Sequence, residues 1–297
     1  MPMIKTLKVA TYNIHKGVQG LGPARRLEIH NLGHAVEQFD ADIVCLQEVR
    51  AFNRLHAKRF EHWPDTGQAD FLAPEGYTAV YRTNAITRHG EHGNALLSRW
   101  PVLMHRHENM SDHRFEQRGL LHVSLQIQTQ TVHVIVVHLG LLPASRVRQT
   151  QQLHDYIARH VPSNALLLVA GDFNDWGNTV QKMMAEFGLH SHTGHATPTY
   201  PSRLPLVQLD HVYARGLQAV RSFTPRGPIW GRMSDHLPLL VEFDWEFAKR
   251  TRVMHTPLNC SAVVQHFFLR WCMRLTRRSK RCDWKPTSSI FKAQRLM

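Results

Sequence analysis

Residues 164–176, NALLLVAGDFNDW, constrain the fold more than any other stretch. The apolar run 165–170 has the length of a buried strand, ends at Gly171 and passes at once to Asp172, Asn174 and Asp175. A strand buried on both faces that ends in a carboxylate and an amide delivers them to one edge of a sheet, where a metal, a water or a phosphate can sit. Gly, Asp and Asn are also turn formers in their own right, so the stretch alone leaves a solvated turn open beside a site. Asp175 reads as a loop or capping residue.

Further strands end the same way. Residues 4–14 (IKTLKVATYNI) form a strand reaching Asn13 and an HKG turn, and residues 41–46 form a second that ends on Gln47 and Glu48. Residues 119–127 and 131–138 alternate apolar and polar side chains as a hairpin closing on His138. Asn94 opens a short apolar run, and two more strands lie at 206–213 and 237–243, with Ser234, Asp235 and His236 just before the last. Helical spacing covers 25–39, 145–160 and 179–187. Strands joined partly through helices and partly through hairpins imply an α/β fold in four layers, two packed mixed β-sheets flanked by helices.

The formal charge of +13 suggests a nucleic-acid binder until it is divided by position. Residues 1–246 hold 24 Lys and Arg against 22 Asp and Glu, a net of +2, whereas 247–297 hold 12 basic residues against Asp283 alone, a net of +11. A catalytic domain over 1–246 and a basic tail over 247–297 are therefore expected. Residues 261–281 mix apolar and basic side chains, a composition that suits peripheral contact with an anionic membrane and equally suits an unfolded tail or a short amphipathic helix. Cys45 lies in a buried run and the other three cysteines in the tail, too uneven a placement for a disulfide framework. No stretch approaches the roughly 18 apolar residues of a membrane span. A cytoplasmic protein, with membrane contact through the tail as the added option, is the expectation, and no partner protein is inferred.

Asn13, Glu48, Asn94, His138, Asp172, Asn174, Asp210, Asp235 and His236 all stand beside apolar runs that must be buried. Carboxylates gathered in one cleft repel unless a cation neutralises them, and oxygen donors suit Mg²⁺ or Mn²⁺. The set contains no cysteine and the chain no HExxH, which disfavours zinc. The imidazole beside a carboxylate in SDH, with Asp210 in LDH, supplies an acid/base or orienting pair near neutral pH. Attack of water on phosphorus is the implied reaction.

TYNIHKG, LQEV, GNALLSRWP, VHLG, GDFND, LDHVY and SDHLPL occur here in an order that resembles the endonuclease/exonuclease/phosphatase superfamily, DNase I-like in fold, and its small bacterial members in particular. The resemblance implies that Glu48 is the principal metal ligand with Asn13 beside it and Asp235 near the ion. It further implies that Asp172 positions or deprotonates the attacking water and Asn174 holds water and phosphate. His236 would contact the phosphate or act as base, Asp210 would orient His236, and His138 would stabilise transition-state charge. Asn94 and Arg118 look like supporting positions, although a structural ion pair is an equal reading for Arg118.

The expected substrate is a phosphoester, either nucleic acid or a phospholipid head group. The WCDR signature of the inositol-polyphosphate 5-phosphatases is replaced here by sequence without Trp or Cys, which disfavours an inositide. A body at +2 shows no overall duplex-binding charge, while Arg50, Arg54, Lys58 and Arg59 form a local cluster that reads first as a solvated face.

Overall fold

The side chains of each central strand sort by parity into two different apolar layers, and this sorting builds the molecule. The computed structural model describes residues 4–191 and 197–246. In chain order, β1 (Thr6–Asn13), β2 (Val18–Gln19) and β3 (Arg26–Leu27) precede helix α1 (Ile29–Phe39). Strand β4 (Ile43–Val49) is followed by α2 (Arg54–Arg59) and α3 (Gln68–Leu72). Then β5 (Thr78–Thr87), β6 (Gly90–Ser98), β7 (Val102–Asn109), β8 (Gly119–Ile127) and β9 (Gln130–His138) run without a helix between them. The remainder is α4 (Pro143–His160), β10 (Leu166–Asp172), α5 (Thr179–Glu186), β11 (Asp210–Arg215), β12 (Gln218–Phe223), α6 (Trp230–Met233) and β13 (Leu239–Asp244).

Six strands form one sheet in the order β12-β13-β1-β4-β6-β5, and five form the other in the order β11-β10-β9-β8-β7. Leu7 and Val9 of β1, Ile43 and Cys45 of β4, Val134 and Val136 of β9, and Leu168 and Ala170 of β10 meet in the layer between the sheets. Their out-of-phase neighbours face helices: Ala10, Tyr12, Val44 and Leu46 pack with Ile29, Leu32 and Phe39 of α1, while Val137, Leu167 and Val169 pack with Leu153 and Ile157 of α4 and Met184 of α5. The result is the expected four-layer α/β sandwich, with apolar layers formed by the period-two geometry of strands.

Strands β7 and β12, which the sequence pattern did not reveal, occupy sheet edges and alternate with solvent on much of their length. The stretch 53–75 holds the short helices α2 and α3; Leu72 is buried under α1 and Phe71 packs against the same layer. Within the described residues no helix is long and apolar enough to cross a membrane. The expectations for residues 247–297, amphipathic helix or unfolded tail, lie outside the described residues.

One buried histidine couples the outer layer to pH. His122 of β8 sits fully buried under α4, its Nδ1 3.0 Å from Tyr156 Oη and its Nε2 2.9 Å from His133 Nδ1. Burial, with the neighbouring His133 and Arg106, pushes its pKa down to about 4. A histidine held neutral in the fold but protonated near pH 6.5 when unfolded contributes stability above pH 6.5 that is lost as the pH falls toward 4. In urea unfolding, the advantage of the wild type over His122→Gln is expected to shrink by up to about 3 kcal/mol between pH 7 and pH 4. A pH-independent difference would show that His122 does not titrate on unfolding.

Candidate active site

Strand direction turns parity into a site. Strands β1 and β4 are parallel, as are β9 and β10, so their C-terminal ends lie at one end of each sheet. Strands β6, β8, β11 and β13 run antiparallel to these and bring their N-terminal ends to the same place. Counting in twos from the inter-sheet layer puts Asn13, Asn94, His138, Asp172 and Asp210 on the facing surfaces of the sheets. A bond across the sandwich, Asn13 Nδ2 to Asp172 Oδ2 at 3.1 Å, joins the two sheets there.

Asp172 is the centre of the arrangement. It is buried, and its Oδ1 accepts the backbone N–H of Asn174 at 2.9 Å. Its Oδ2 faces Asn13 Nδ2 together with His138 Nε2 and His236 Nε2, both at 3.5 Å. His236 Nδ1 donates to Asp210 Oδ2 at 2.8 Å, which fixes the imidazole with Nε2 toward Asp172. Asn174, left-handed at φ 49°, turns its side chain to donate to Leu139 O at 2.9 Å. The two imidazoles bracketing Asp172 differ in charge. Burial would lower His236, but the carboxylates of Asp210, Asp172 and Asp235 outweigh it and push the pKa up to about 10. Burial and Arg118 push His138 far down, so it is neutral. Burial raises Asp172, with His236 opposing and Asp210 adding to the rise.

Glu48 reaches this end by an irregularity. Leu46 pairs with Ala95 and Val49 with Gly93, so β4 carries one extra residue, and Glu48 takes φ 58° at the bulge. Gln47 bonds Thr11 and Val49 belongs to the layer under α1, so the bulge aims Glu48 into the cleft. Its carboxylate lies 2.5 Å from Lys16 Nζ, and despite burial Lys16 and the nearby histidines hold it down to about 2. Asp235 lies 3.0 Å from His15 Nδ1, and against burial this bond and His236 keep its pKa low.

His15 and Lys16 are functional candidates that the sequence reading passed over as part of a turn. Both have positive φ, 45° and 64°, and the resulting coil sends consecutive side chains to Asp235 and Glu48. Gln68 braces the coil, donating to Lys16 O and accepting from Arg50 N, both at 2.9 Å. Ser234 is a third such residue, its Oγ donating to Asn13 O at 2.6 Å and so tying the SDH loop to the end of β1. A polar side chain within three positions of an expected site residue is the only sign of them in the sequence.

The supporting positions are also gathered. Asn94, Arg118, Glu48 and His138 line one small cavity. Asn94 Nδ2 donates to Gly119 O and Val136 O, clamping the sheets together, and Arg118 bonds Leu139 O and pairs with Glu116 at 3.0 Å. Arg50 and Arg59 of the basic cluster are engaged structurally, Arg50 with His56 Nδ1 at 2.6 Å and Arg59 with Gly22 O at 2.7 Å. Asp175 caps α5, accepting from Thr179 N and Gln181 N.

Two sets of donors could receive a cation. Asp172, Asp210 and His236 offer atoms all within 4.8 Å of one another. Asp210 Oδ2 and His236 Nδ1 already bond each other, which suits proton holding better than ligation. Glu48 and Asp235 are more open, with side chains 17% and 37% exposed, and they bond adjacent residues of one loop, Lys16 and His15. Ionised oxygen donors with no thiolate among them fit a hard divalent ion.

The family model for the Endonuclease/Exonuclease/phosphatase family matches residues 10–236, which span every residue of this site. The chain is 36% identical over 246 residues to the uncharacterised protein YbhP of Escherichia coli K12, covering 80% of this chain and 96% of that one. Two solved structures share the fold. The mannosyl-6-phosphatase Bt3783 of Bacteroides thetaiotaomicron has a TM-score of 0.62 at 18% identity, over 80% of this chain and 99% of its own. D. rerio TDP2 complexed with single strand DNA product has a TM-score of 0.57 at 16% identity, over 81% and 99%. With its sheets, its polar strand ends and the span of the match in agreement, the chain belongs to the endonuclease/exonuclease/phosphatase family.

Proposed function

We propose that the protein is a divalent-metal-dependent phosphoester hydrolase, most closely a nuclease-like phosphodiesterase, in which water attacks phosphorus. The observation that carries the reading is the chain Asp210–His236–Asp172–Asn13, with His138 Nε2 also 3.5 Å from Asp172. Asp172, held at both oxygens, is placed to orient a water and take its proton. Asp210 keeps the His236 ring turned and charged, so that Nε2 can donate to a phosphoryl oxygen, and Asn174 ties the loop after Asp172 to Leu139. Glu48 and Asp235, with Asn13 beside them, would hold Mg²⁺ or Mn²⁺, which when bound supplies charge neutralisation at the phosphoryl oxygens. Relatives of this fold act on a sugar phosphate and on DNA according to their names, which agrees with phosphoester chemistry and leaves the ester itself to experiment.

A saturating titration with Mg²⁺ or Mn²⁺ is expected to raise the thermal midpoint by several degrees, since binding at about 100 times Kd contributes roughly 2.7 kcal/mol. Glu48→Gln should abolish the shift. A wild type that shows no shift and no heat with either ion would instead be a binding scaffold that keeps the fold.

A phospholipid or other small phosphodiester at a membrane surface is the second reading, and a specific feature favours it. Leu141, Leu142, Trp176, Leu204 and Leu206, on three loops at the catalytic end, are exposed. Trp176 meets Tyr200 at a ring distance of 5.7 Å, and Tyr200 meets His236 at 5.0 Å, so this apolar rim borders the mouth. Together with the basic tail it suits a cytoplasmic enzyme that works peripherally on an anionic bilayer. Co-sedimentation of the full chain with anionic liposomes, against a chain ending at Asp244, tests the tail's share; equal recovery of both removes the tail from this reading.

A further inference from the structure

A groove of about 730 Å³ lies beside the SDH loop and is lined by Arg26, Arg203, Arg226 and Arg232 from three separate parts of the chain. No acidic residue lines it. Several arginines elsewhere pair with a carboxylate: Arg148 with Asp112 at 2.6 Å, Arg118 with Glu116 at 3.0 Å, and Arg99 with Asp40 at 2.5 Å. In the groove only Arg26 has such a partner, Glu28 at 3.1 Å; the guanidinium groups of Arg203, Arg226 and Arg232 have none among the described residues. Three guanidinium groups without a carboxylate partner and a fourth beside them line one groove, and like charges gathered in this way favour an anion between them. The fork of the guanidinium group suits phosphate oxygens two at a time.

The groove shares a wall with the reaction centre. Leu237 lines it and follows His236 directly, about 3.8 Å of backbone away. Ser202 lines it too, and donates from its N to Asp235 O at 2.7 Å and from its Oγ to Ser234 O at 2.7 Å. The groove and the reaction centre thus flank the same SDH loop.

We propose that this groove binds a second, non-scissile phosphate of the substrate, so that the preferred esters carry at least two phosphate groups; the inference rests on the phosphoester-hydrolase reading above. The body's charge of only +2 conceals the site, because the groove concentrates cations that acidic residues elsewhere offset.

The test uses the full chain with Mg²⁺ or Mn²⁺ and two pairs of soluble substrates. Thymidylyl-thymidine is compared with its 5′-phosphorylated form, and glycerophosphoinositol with glycerophosphoinositol 4-phosphate, so that the pair showing discrimination identifies a nucleotide or a lipid-head-group source. In one pair at least, the second phosphate is expected to lower KM tenfold or more in the wild type, and Arg203→Ala/Arg226→Ala should bring that ratio close to one. Equal KM values within both pairs in an active wild type, or a ratio kept by the double variant, would overturn the inference and leave the hydrolase reading standing. Calorimetric titration with pyrophosphate, without divalent ion, supplies an answer independent of turnover. Tenfold weaker binding by the double variant supports the groove as the anion site, and unchanged binding overturns it. A wild type inactive toward all four esters would overturn the hydrolase reading, while the pyrophosphate titration still decides the groove.

Discussion

Asp172→Asn is expected to lower Mg²⁺-supported hydrolysis of bis-p-nitrophenyl phosphate by about 10³-fold, inside the range for losing a positioned acid/base group. The amide is isosteric with the carboxylate, so its oxygen can still accept the Asn174 N–H that holds the loop. What disappears is the proton acceptor between His138 and His236. Relief of a desolvated charge is offset because the new amide nitrogen would face the Asn13 and His236 donors, so the thermal midpoint should fall by no more than a few degrees. The pairing of lost turnover with a retained fold separates a role in chemistry from a role in folding. Turnover within tenfold of wild type would remove Asp172 from the reaction.

Gly171→Ala should have the largest effect on stability of any change next to the site. Gly171 has φ 152°, and a Cβ built on it would lie 1.9 Å from the carbonyl oxygen of Val137, its partner in the parallel β9–β10 pairing. The obstacle is backbone in the middle of a sheet, so no side chain can swing away. A cost above about 4 kcal/mol, beyond the usual range for point substitutions, is expected. It should be read as a drop in the urea midpoint or, if the loss exceeds the total stability, as insoluble protein without a folded circular dichroism spectrum. A variant within about 1 kcal/mol of wild type would mean that β9 and β10 separate locally at little cost, contrary to their close pairing.

These two residues also show what a linear reading can reach. The run 165–170 announces a strand buried on both sides, and counting in twos from it places Asp172 on the face shared with the other sheet. The same count from β1, β6, β9 and β11 finds Asn13, Asn94, His138 and Asp210, because a strand covered on both faces has little freedom in which face a side chain takes. Solvent-exposed edge strands escape such counting. β7 alternates exposed with half-buried residues and contributes Val102 only at the margin of the inner layer, so its pattern resembles a polar loop. α2 and α3 were hidden for another reason: helices of six and five residues are too short for a period of 3.6 to declare itself.

Within the site, the limits are those of backbone conformation. His15 and Lys16 act through left-handed residues, and side-chain direction in such a coil follows from φ and ψ, not from spacing. The groove arginines come from positions 26, 203, 226 and 232, and nothing in a linear reading says that these meet. Single apolar residues on loop tips, Leu141 and Trp176 among them, likewise carry no sign of a common rim until the loops are placed.

Glu48 obeys a different arithmetic from its neighbours. Regular alternation would have sent it toward Leu46 and α1, into an oily layer where an ionised carboxylate has no partner. The one surplus residue in β4 restores it to the cleft, which means that its placement is a matter of chain length. Losing or gaining a single residue between Leu46 and Gly93's partner Val49 would therefore disarm the site with every acid, amide and imidazole still present. Length variation at that point is a lesion in its own right, invisible to any inventory of side chains.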